Sequence, residues 1–145
     1  MSAFSNHLET GLLNHTLRGA ALAAPSGVFL ALFTSDPTDA GTGDELTDSA
    51  YSRQDIAGGD AIATGWTEPD VYDNGTDPVG HAVTNAKLIT FPPIEDTTVT
   101  VTHYGIYDAA TGGNLLYHGE FAVAQTLAVN DVMSVAVGGL TVVLR

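Results

Sequence analysis

The sequence has no cysteine and few basic residues, and both absences exclude classes of protein. Without cysteine, the chain has no disulfide framework, no thiolate metal site and no cysteine nucleophile. Only 4 lysines and arginines stand against 17 aspartates and glutamates, which gives the 145-residue chain a formal net charge of −13. Because phosphate binding needs clustered basic side chains, we expect neither nucleic acid nor an anionic membrane as a partner.

Long apolar runs are also missing. The segment that comes closest is RGAALAAPSGVFLALF, which begins at Arg18 and which Pro25, Ser26 and Gly27 split into two short halves. A secretory signal has its apolar run before a small-residue cleavage site, whereas here the longer apolar half follows the break. Neither half is long enough to span a bilayer, so we expect no secretory leader and no transmembrane helix.

Residues 5 to 18 predict one short amphipathic helix. Leucines recur there at helical spacing, Asn6 and Glu9 suit N-terminal capping, and Gly19 follows as a stop. An isolated helix of this length is marginal in water, so its apolar stripe is expected to dock on the protein's own sheet or on another subunit. The candidate interface residues are Leu8, Leu12, Leu13 and Leu17.

Beyond Pro25 the pattern favours short strands. Valine, threonine and aromatic residues dominate, and glycine, proline, asparagine and aspartate interrupt them at short intervals. The expected fold is all-β, a β-sandwich or barrel-like domain of about eight short strands with one short N-terminal α-helix. We expect a single domain over 1–145, with the helix in 1–20 and the sandwich in 28–145, and acidic surface loops at 35–49 and 67–78. The predicted strands are 28–34, 50–57, 61–66, 86–91, 98–107, 115–121, 123–129 and 132–144.

A β-hairpin is predicted for HYGIYDAATGGNLLYHGEF, residues 103 to 121, with Gly112 and Gly113 in its turn. If Asp108 pairs near Leu115, alternation separates two faces, and His103 lies opposite Glu120 with His118 diagonal to it. The expected core face carries Tyr104, Ile106, Leu115, Tyr117 and Phe121. The other face carries His103, Gly105, Tyr107, Leu116, His118 and Glu120.

Two imidazoles and a carboxylate are a ligand set that iron or zinc accepts, so His103, His118 and Glu120 form a candidate metal site. The alternative, which we favour, is that they are ordinary exposed or interface strand residues. Val99 and Val101 fall on the same face as His103, which predicts either a bulge or a strand buried on both faces.

No other motif of a catalytic site is present. The sequence has no Gly-x-Ser-x-Gly elbow, no Walker loop and no His-Glu-x-x-His motif, so we expect no catalytic residues, no cofactor and no enzymatic activity. Three alternatives stay open. The acidic loop 35–49 could hold calcium, although its spacing departs from the EF-hand pattern. Carboxylate pairs could serve a glycosidase. Trp66 could form a sugar platform, although core or interface packing is the commoner role of a single tryptophan.

Three stretches together carry a family resemblance: SNHLETGLLNHTLRG, VFLALFTSDPTDAGTGDE followed by YSRQ, and THYGIYDAATGGNLLYHG. The chain resembles a family of small proteins of tailed bacteriophages that are often described as tail fibre proteins. The resemblance runs through most of the chain in order and is weakest over residues 57 to 85. It implies a non-enzymatic component of the virion, made in the host cytoplasm.

Among virion roles, the sequence favours a capsid decoration, or cement, protein on the exterior of the head. Its expected partners are the major capsid protein and further copies of itself, with a trimer suggested by analogy. A tail fibre or baseplate component that contributes to host adsorption is the alternative. The decoration role is preferred because the sequence has no heptad run, collagen-like triplet or β-helix repeat from which to build a fibre shaft. A metal-dependent enzyme that uses His103, His118 and Glu120 is a third hypothesis.

Overall fold

A computed structural model describes residues 2 to 145, which fold into antiparallel sheets with one α-helix. The predicted all-β class with a single N-terminal helix is confirmed. The helix, α1, spans Asn6–Arg18. The described residues form ten strands rather than about eight: β1 (Ser2–Phe4), β2 (Phe29–Phe33), β3 (Gln54–Asp55), β4 (Asp70–Tyr72), β5 (Gly80–Thr84), β6 (Ile89–Thr90), β7 (Val99–Tyr107), β8 (Leu115–Leu127), β9 (Ser134–Val135) and β10 (Thr141–Leu144).

The strands form three sheets. The largest has the order β1-β8-β7-β2-β3, the second has the order β10-β5-β4, and β6 pairs with β9 in the third. Neighbouring strands are antiparallel throughout. The hairpin of β7 and β8 lies at the centre of the large sheet, so the most distinctive stretch of the sequence is also its structural middle.

The main core draws side chains from all three sheets. One face of the large sheet therefore packs against the two smaller sheets, in a sandwich-like arrangement. Its buried members include Leu30, Leu32, Val101, Tyr104, Ile106, Ile89, Val135 and Val142.

A second, smaller cluster covers the opposite face of the large sheet, where Ala31, Phe33, Tyr107 and Leu115 pack together. Strand β2 is consequently buried on both faces, which explains why its sequence FLALF is apolar throughout instead of alternating.

The position of Leu115 differs from the prediction. The register shifts between Ile106 and Tyr107, so Leu115 pairs with Tyr107 and joins the second cluster instead of the main core. A shift of one residue moves a side chain to the other face of the sheet, because side chains alternate along a strand.

The predicted strand at 61–66 is wrong, because Ile62–Gly65 form a short 3-10 helix. Both the backbone N–H and the hydroxyl of Thr64 donate to the Ala61 carbonyl, each at 2.8 Å, and this closes the turn. A side chain at Gly65 would place its Cβ only 2.9 Å from the Ala57 nitrogen, so glycine allows the close approach of these two backbone segments.

Other strand predictions change in extent. Segments 115–121 and 123–129 form the single strand β8, and segment 132–144 divides into β9 and β10 around Gly138, whose φ is +75°. The acidic segment 67–78 is not wholly loop, since it contains β4 and leads into β5. Turn-forming residues are frequent in this segment, so its sequence does not show the alternation that would predict the two short strands.

Hydrogen bonds attach the start of helix α1 to β8 and to the acidic loop 35–49. Its N-cap is Ser5, one residue before the predicted cap at Asn6, and the Ser5 hydroxyl oxygen accepts from the Leu8 N–H at 3.2 Å. The same hydroxyl donates to the Leu115 carbonyl, and the Asn6 N–H donates to the Asp39 carbonyl at 2.9 Å.

Within the described residues, no helix has the length and hydrophobicity needed to cross a membrane.

Candidate functional site

The tip of the β7-β8 hairpin is closed by Asp108 and Asn114. The Asn114 backbone N–H donates to one Asp108 carboxylate oxygen at 2.6 Å, and its side-chain amide donates to the other at 2.8 Å. Burial by itself would raise the pKa of Asp108, but these hydrogen bonds outweigh it and hold the pKa below its ordinary value. The carboxylate therefore stays ionised at neutral pH and keeps the turn closed.

Arg53 fastens this tip to the rest of the molecule. Its guanidinium donates to both Glu45 carboxylate oxygens, each at 2.8 Å, and to the carbonyls of Ala109 and Gly112 at 3.1 and 2.7 Å. It also lies 3.5 Å from the centre of the Tyr107 ring. One arginine thus joins the segment before β3 to both sides of the hairpin turn.

No role for Arg53 is predicted from the sequence, although one signal is present there. With 17 acidic and 4 basic side chains in the chain, a basic residue has a choice of carboxylate partners. Tyr51 extends the network, since its hydroxyl donates to Glu45 at 2.9 Å and accepts from the Leu32 N–H at 3.0 Å. Burial raises the pKa of Tyr51, so its phenol stays protonated. The network joins separate segments of the chain, since its polar groups bond to Leu32, to Glu45 and to the hairpin turn.

The three candidate metal ligands are only partly brought together. Pairing places His103 directly opposite Glu120, and Gly105 opposite His118, which is the register that the sequence predicts. His118 is buried, and its ring faces the acidic loop, with Nε2 2.9 Å from Asp39 Oδ1 and Nδ1 3.6 Å from Asp36 Oδ1.

The other two candidates have different surroundings. The ring of His103 bonds to the neighbouring Thr102 hydroxyl at 2.8 Å, and Glu120 is exposed. Across residues 2 to 145, no group of three or more histidine, aspartate or glutamate side chains has an arrangement that could hold a metal ion. The contacts of His118 with Asp36 and Asp39 attach the acidic loop 35–49 to β8.

Carboxylates of the acidic loop 35–49 bond to the chain itself. Asp36 accepts from the Thr38 N–H at 2.9 Å, and Asp44 accepts from the Ser35 hydroxyl at 3.0 Å. The loop is thus organised by internal turns. Trp66 is half-buried and packs against the main core, in keeping with the packing interpretation rather than the sugar platform.

The candidate interface leucines lie on a helix that buries none of its residues. Leu8 and Leu12 are half-buried, while Leu13 and Leu17 are 58% and 78% exposed. Leu22, in the segment after the helix, is exposed as well. The apolar stripe is therefore partly covered at Leu8 and Leu12 and left largely uncovered at Leu13 and Leu17.

A family model described as Podophage GP4 fiber I protein gp80 matches residues 3 to 143. The chain belongs to this family. No curated protein matches the chain. The resemblance to phage tail fibre-type proteins is thereby confirmed, and membership in the gp80 family identifies a structural protein of the phage fibre or virion.

The contacts of the polar side chains described above agree with membership in the gp80 family. The family implies association with other virion proteins. The hydrogen bonds of Arg53, His118 and Asp108 all go to neighbouring segments of the fold. These residues join separate segments of the fold, while Leu13 and Leu17 of α1 remain exposed.

Proposed function

We propose that this chain is a non-enzymatic structural subunit of a phage fibre and that it joins neighbouring virion proteins through α1. The observation that carries the proposal is the match of the gp80 family model, described as a fibre protein, over residues 3 to 143. The match spans both the helix and the β body, so the whole fold, rather than one motif, belongs to the fibre-type family.

The exposed stripe of α1 supports its role as the attachment surface. Leu13 and Leu17 lie one helical turn apart, so they form one continuous apolar patch. Fully burying a leucine side chain is worth about 1.5–3 kcal/mol, a gain that this helix forgoes in the isolated chain and would realise against a partner. The helix start is fixed by Ser5, which would hold the patch at a defined angle to the body.

Charge also favours α1 as the contact surface. Copies of a chain with a net charge of −13 repel one another wherever their acidic loops approach. The helix carries a single acidic residue, Glu9, in its first turn and a basic residue, Arg18, in its last. A symmetric homo-oligomer, for which we propose a trimer, would bring together the C-terminal halves of the helices, which carry Leu13 and Leu17, whereas the acidic loop 35–49 contacts the other end of the helix at Asn6.

Capsid decoration is the second candidate, and one observation favours it. The described residues have no element that could form a shaft, since α1 is 13 residues long and the rest is sheet and loop. A fibre subunit of this kind would be a globular module attached to a shaft formed by other chains. The same body would equally suit a cement protein that bridges capsid subunits.

Copy number and position in the virion distinguish the two candidates. We expect a quantified gel of purified virions to show this chain at far fewer copies than the major capsid protein. Antibody labelling in electron micrographs is expected on the tail or its appendages. A copy number comparable with the major capsid protein, together with labelling over the whole head, would reject the fibre role and establish decoration.

Replacing the two most exposed leucines should separate assembly from folding. Leu13→Ser combined with Leu17→Ser is expected to change the free energy of unfolding by about 1 kcal/mol or less, because both side chains already face solvent. Incorporation of the variant into virions is expected to fall steeply. Immunoblots of purified particles, beside circular dichroism of the isolated protein, measure the two effects.

The matched control is Val71→Ser combined with Val137→Ser, since these valines are also exposed but lie outside α1. This variant should enter virions normally. Normal incorporation of the leucine variant would contradict the role of α1 as the attachment surface.

A further inference from the structure

A cavity of about 390 Å³ lies where β8 approaches β10 and the β4-β5 hairpin. Its lining includes aromatic rings, a carboxylate, a hydroxyl and a guanidinium, contributed by Tyr72, Tyr104, Glu120, Phe121, Thr141 and Arg145. The volume lies within the range of about 300 to 1,000 Å³ that is usual for small-molecule sites. None of the contacts described above uses this cavity.

An irregularity in the large sheet builds the β8 wall of the cavity. His103 pairs with Glu120 and Val101 pairs with Gln125, so the four residues 121 to 124 of β8 lie opposite Thr102 alone. In a regular strand, neighbouring side chains point to opposite faces. Here three consecutive residues, 120 to 122, line one cavity. Bulges that redirect side chains in this way are over-represented next to functional sites.

Tyr104 is the second observation that points to a ligand. Its side chain is only 6% exposed and lines the cavity, yet its hydroxyl makes no hydrogen bond within the described residues. Among those residues, no fully buried side-chain oxygen or nitrogen lacks a partner, so this hydroxyl must reach accessible space. Burial raises the pKa of Tyr104, and the phenol therefore remains protonated and able to donate. The hydroxyl therefore has no partner among the described residues, and a ligand in the cavity could accept from it.

The charges around the cavity restrict the chemistry of that ligand. Arg145 donates to Asp77 at 2.8 Å, so its charge is balanced, and the chain's net charge of −13 disfavours an anion. The guanidinium of Arg145 lies 5.4 Å from the centre of the Tyr72 ring, where a cationic ligand would otherwise stack. A purely apolar ligand would cover the Tyr104 hydroxyl without giving it a partner.

We propose that this cavity binds one neutral sugar ring. The C–H face of a pyranose would pack on the half-buried ring of Phe121, which itself packs against the core ring of Tyr104 with the two ring centres 5.2 Å apart. Its hydroxyls would donate to Glu120 and accept from the Tyr104 phenol. The site is built from this chain's own residues, so the proposal does not depend on whether the protein belongs to the fibre or to the head.

Nuclear magnetic resonance titration of the full chain tests this binding. The probes are the methyl glycosides of glucose, galactose, mannose and N-acetylglucosamine. We expect at least one to shift resonances of Phe121, Leu140 and Thr141 in a saturable way, with a dissociation constant of about 1 mM. Tetramethylammonium and inorganic phosphate serve as the cationic and anionic comparison probes, and neither should produce these shifts.

Two conservative variants assign the contacts. Tyr104→Phe removes only the hydroxyl, and Glu120→Gln removes only the charge. Each is expected to weaken sugar binding by about tenfold, which corresponds to the loss of one good hydrogen bond. Tyr117→Phe on the same sheet and Glu68→Gln in an exposed loop are the matched controls, and both should bind as the unmodified chain does.

Three outcomes would overturn the proposal: no saturable shift with any of the four glycosides, binding that neither cavity variant weakens, or shifts caused by tetramethylammonium or phosphate instead. The measurement uses isolated protein and soluble sugars. Its failure would leave the virion tests of the proposed function unaffected, and failure of those tests would leave the sugar site unaffected.

Discussion

Asn85→Ala is expected to lower the free energy of unfolding by about 4 kcal/mol, since the buried Leu140 N–H loses its partner and two part-buried carbonyls lose a donor at once. Asn85 is fully buried between β5 and β6. Its side-chain amide donates to the carbonyls of Lys87 and Ala136, each at 2.8 Å, and its Oδ1 accepts from the Leu140 N–H at 2.8 Å. One side chain therefore holds together the connections between the two smaller sheets.

Urea denaturation measures this effect as a lower midpoint with an unchanged slope. The matched control is Asn74→Ala. The Asn74 side chain is exposed and bonds only within its own turn, to Thr76 and Asp77, so its loss should cost about 1 kcal/mol or less. A loss of stability in Asn85→Ala no larger than that of the control would show that the buried bonds are replaced by water.

Arg53→Met is expected to cost about 3 kcal/mol, because it removes one partner of a largely buried ion pair and leaves the other charge uncompensated. The Arg53 side chain is only 9% exposed, and its loss also frees the carbonyls of Ala109 and Gly112. Thermal and urea unfolding measure the stability. Backbone amide hydrogen exchange of residues 109 to 113 should become faster, because the hairpin tip loses its hydrogen bonds to Arg53.

Lys87→Met is the matched control for the basic residue. Lys87 pairs with Asp60 at 2.6 Å, but both side chains are more exposed, so removing the lysine should cost about 1 kcal/mol or less. A double variant, Arg53→Met with Glu45→Gln, should lose less stability than the sum of the two single variants, because neither charge is left unpaired. Strictly additive losses would show that the pair is not coupled.

The family resemblance and much of the hairpin could be predicted from local sequence. Alternating side chains and the glycine pair 112–113 predict β7, β8 and the pairing of His103 with Glu120. Helix α1 follows from its leucine spacing and from Gly19, which adopts a φ of +71° at the C-cap. These features depend on residues close together in the chain, so local patterns determine them.

The side-chain partners could not be predicted, because they depend on contacts distant in sequence. His118 bonds to Asp39, which is 79 residues away, and Arg53 reaches Gly112 across 59 residues. The same separation explains the failure of the two-face prediction for the hairpin. The hairpin face that carries Tyr107 and His118 meets the acidic loop 35–49, where Asp39 bonds to His118. No pattern within residues 103 to 121 indicates that this loop packs there.

Composition, periodicity and turn residues were sufficient to predict the all-β class, the single N-terminal helix, the acidic character and the central hairpin. Three features depend instead on tertiary contacts: β2 is buried on both faces, Asn85 and Arg53 join distant segments, and Tyr104, Glu120 and Phe121 line one cavity. The physical reason is that burial and hydrogen bonding are settled by which surfaces meet, and a bulge of a few residues in β8 redirects side chains that strict alternation would separate.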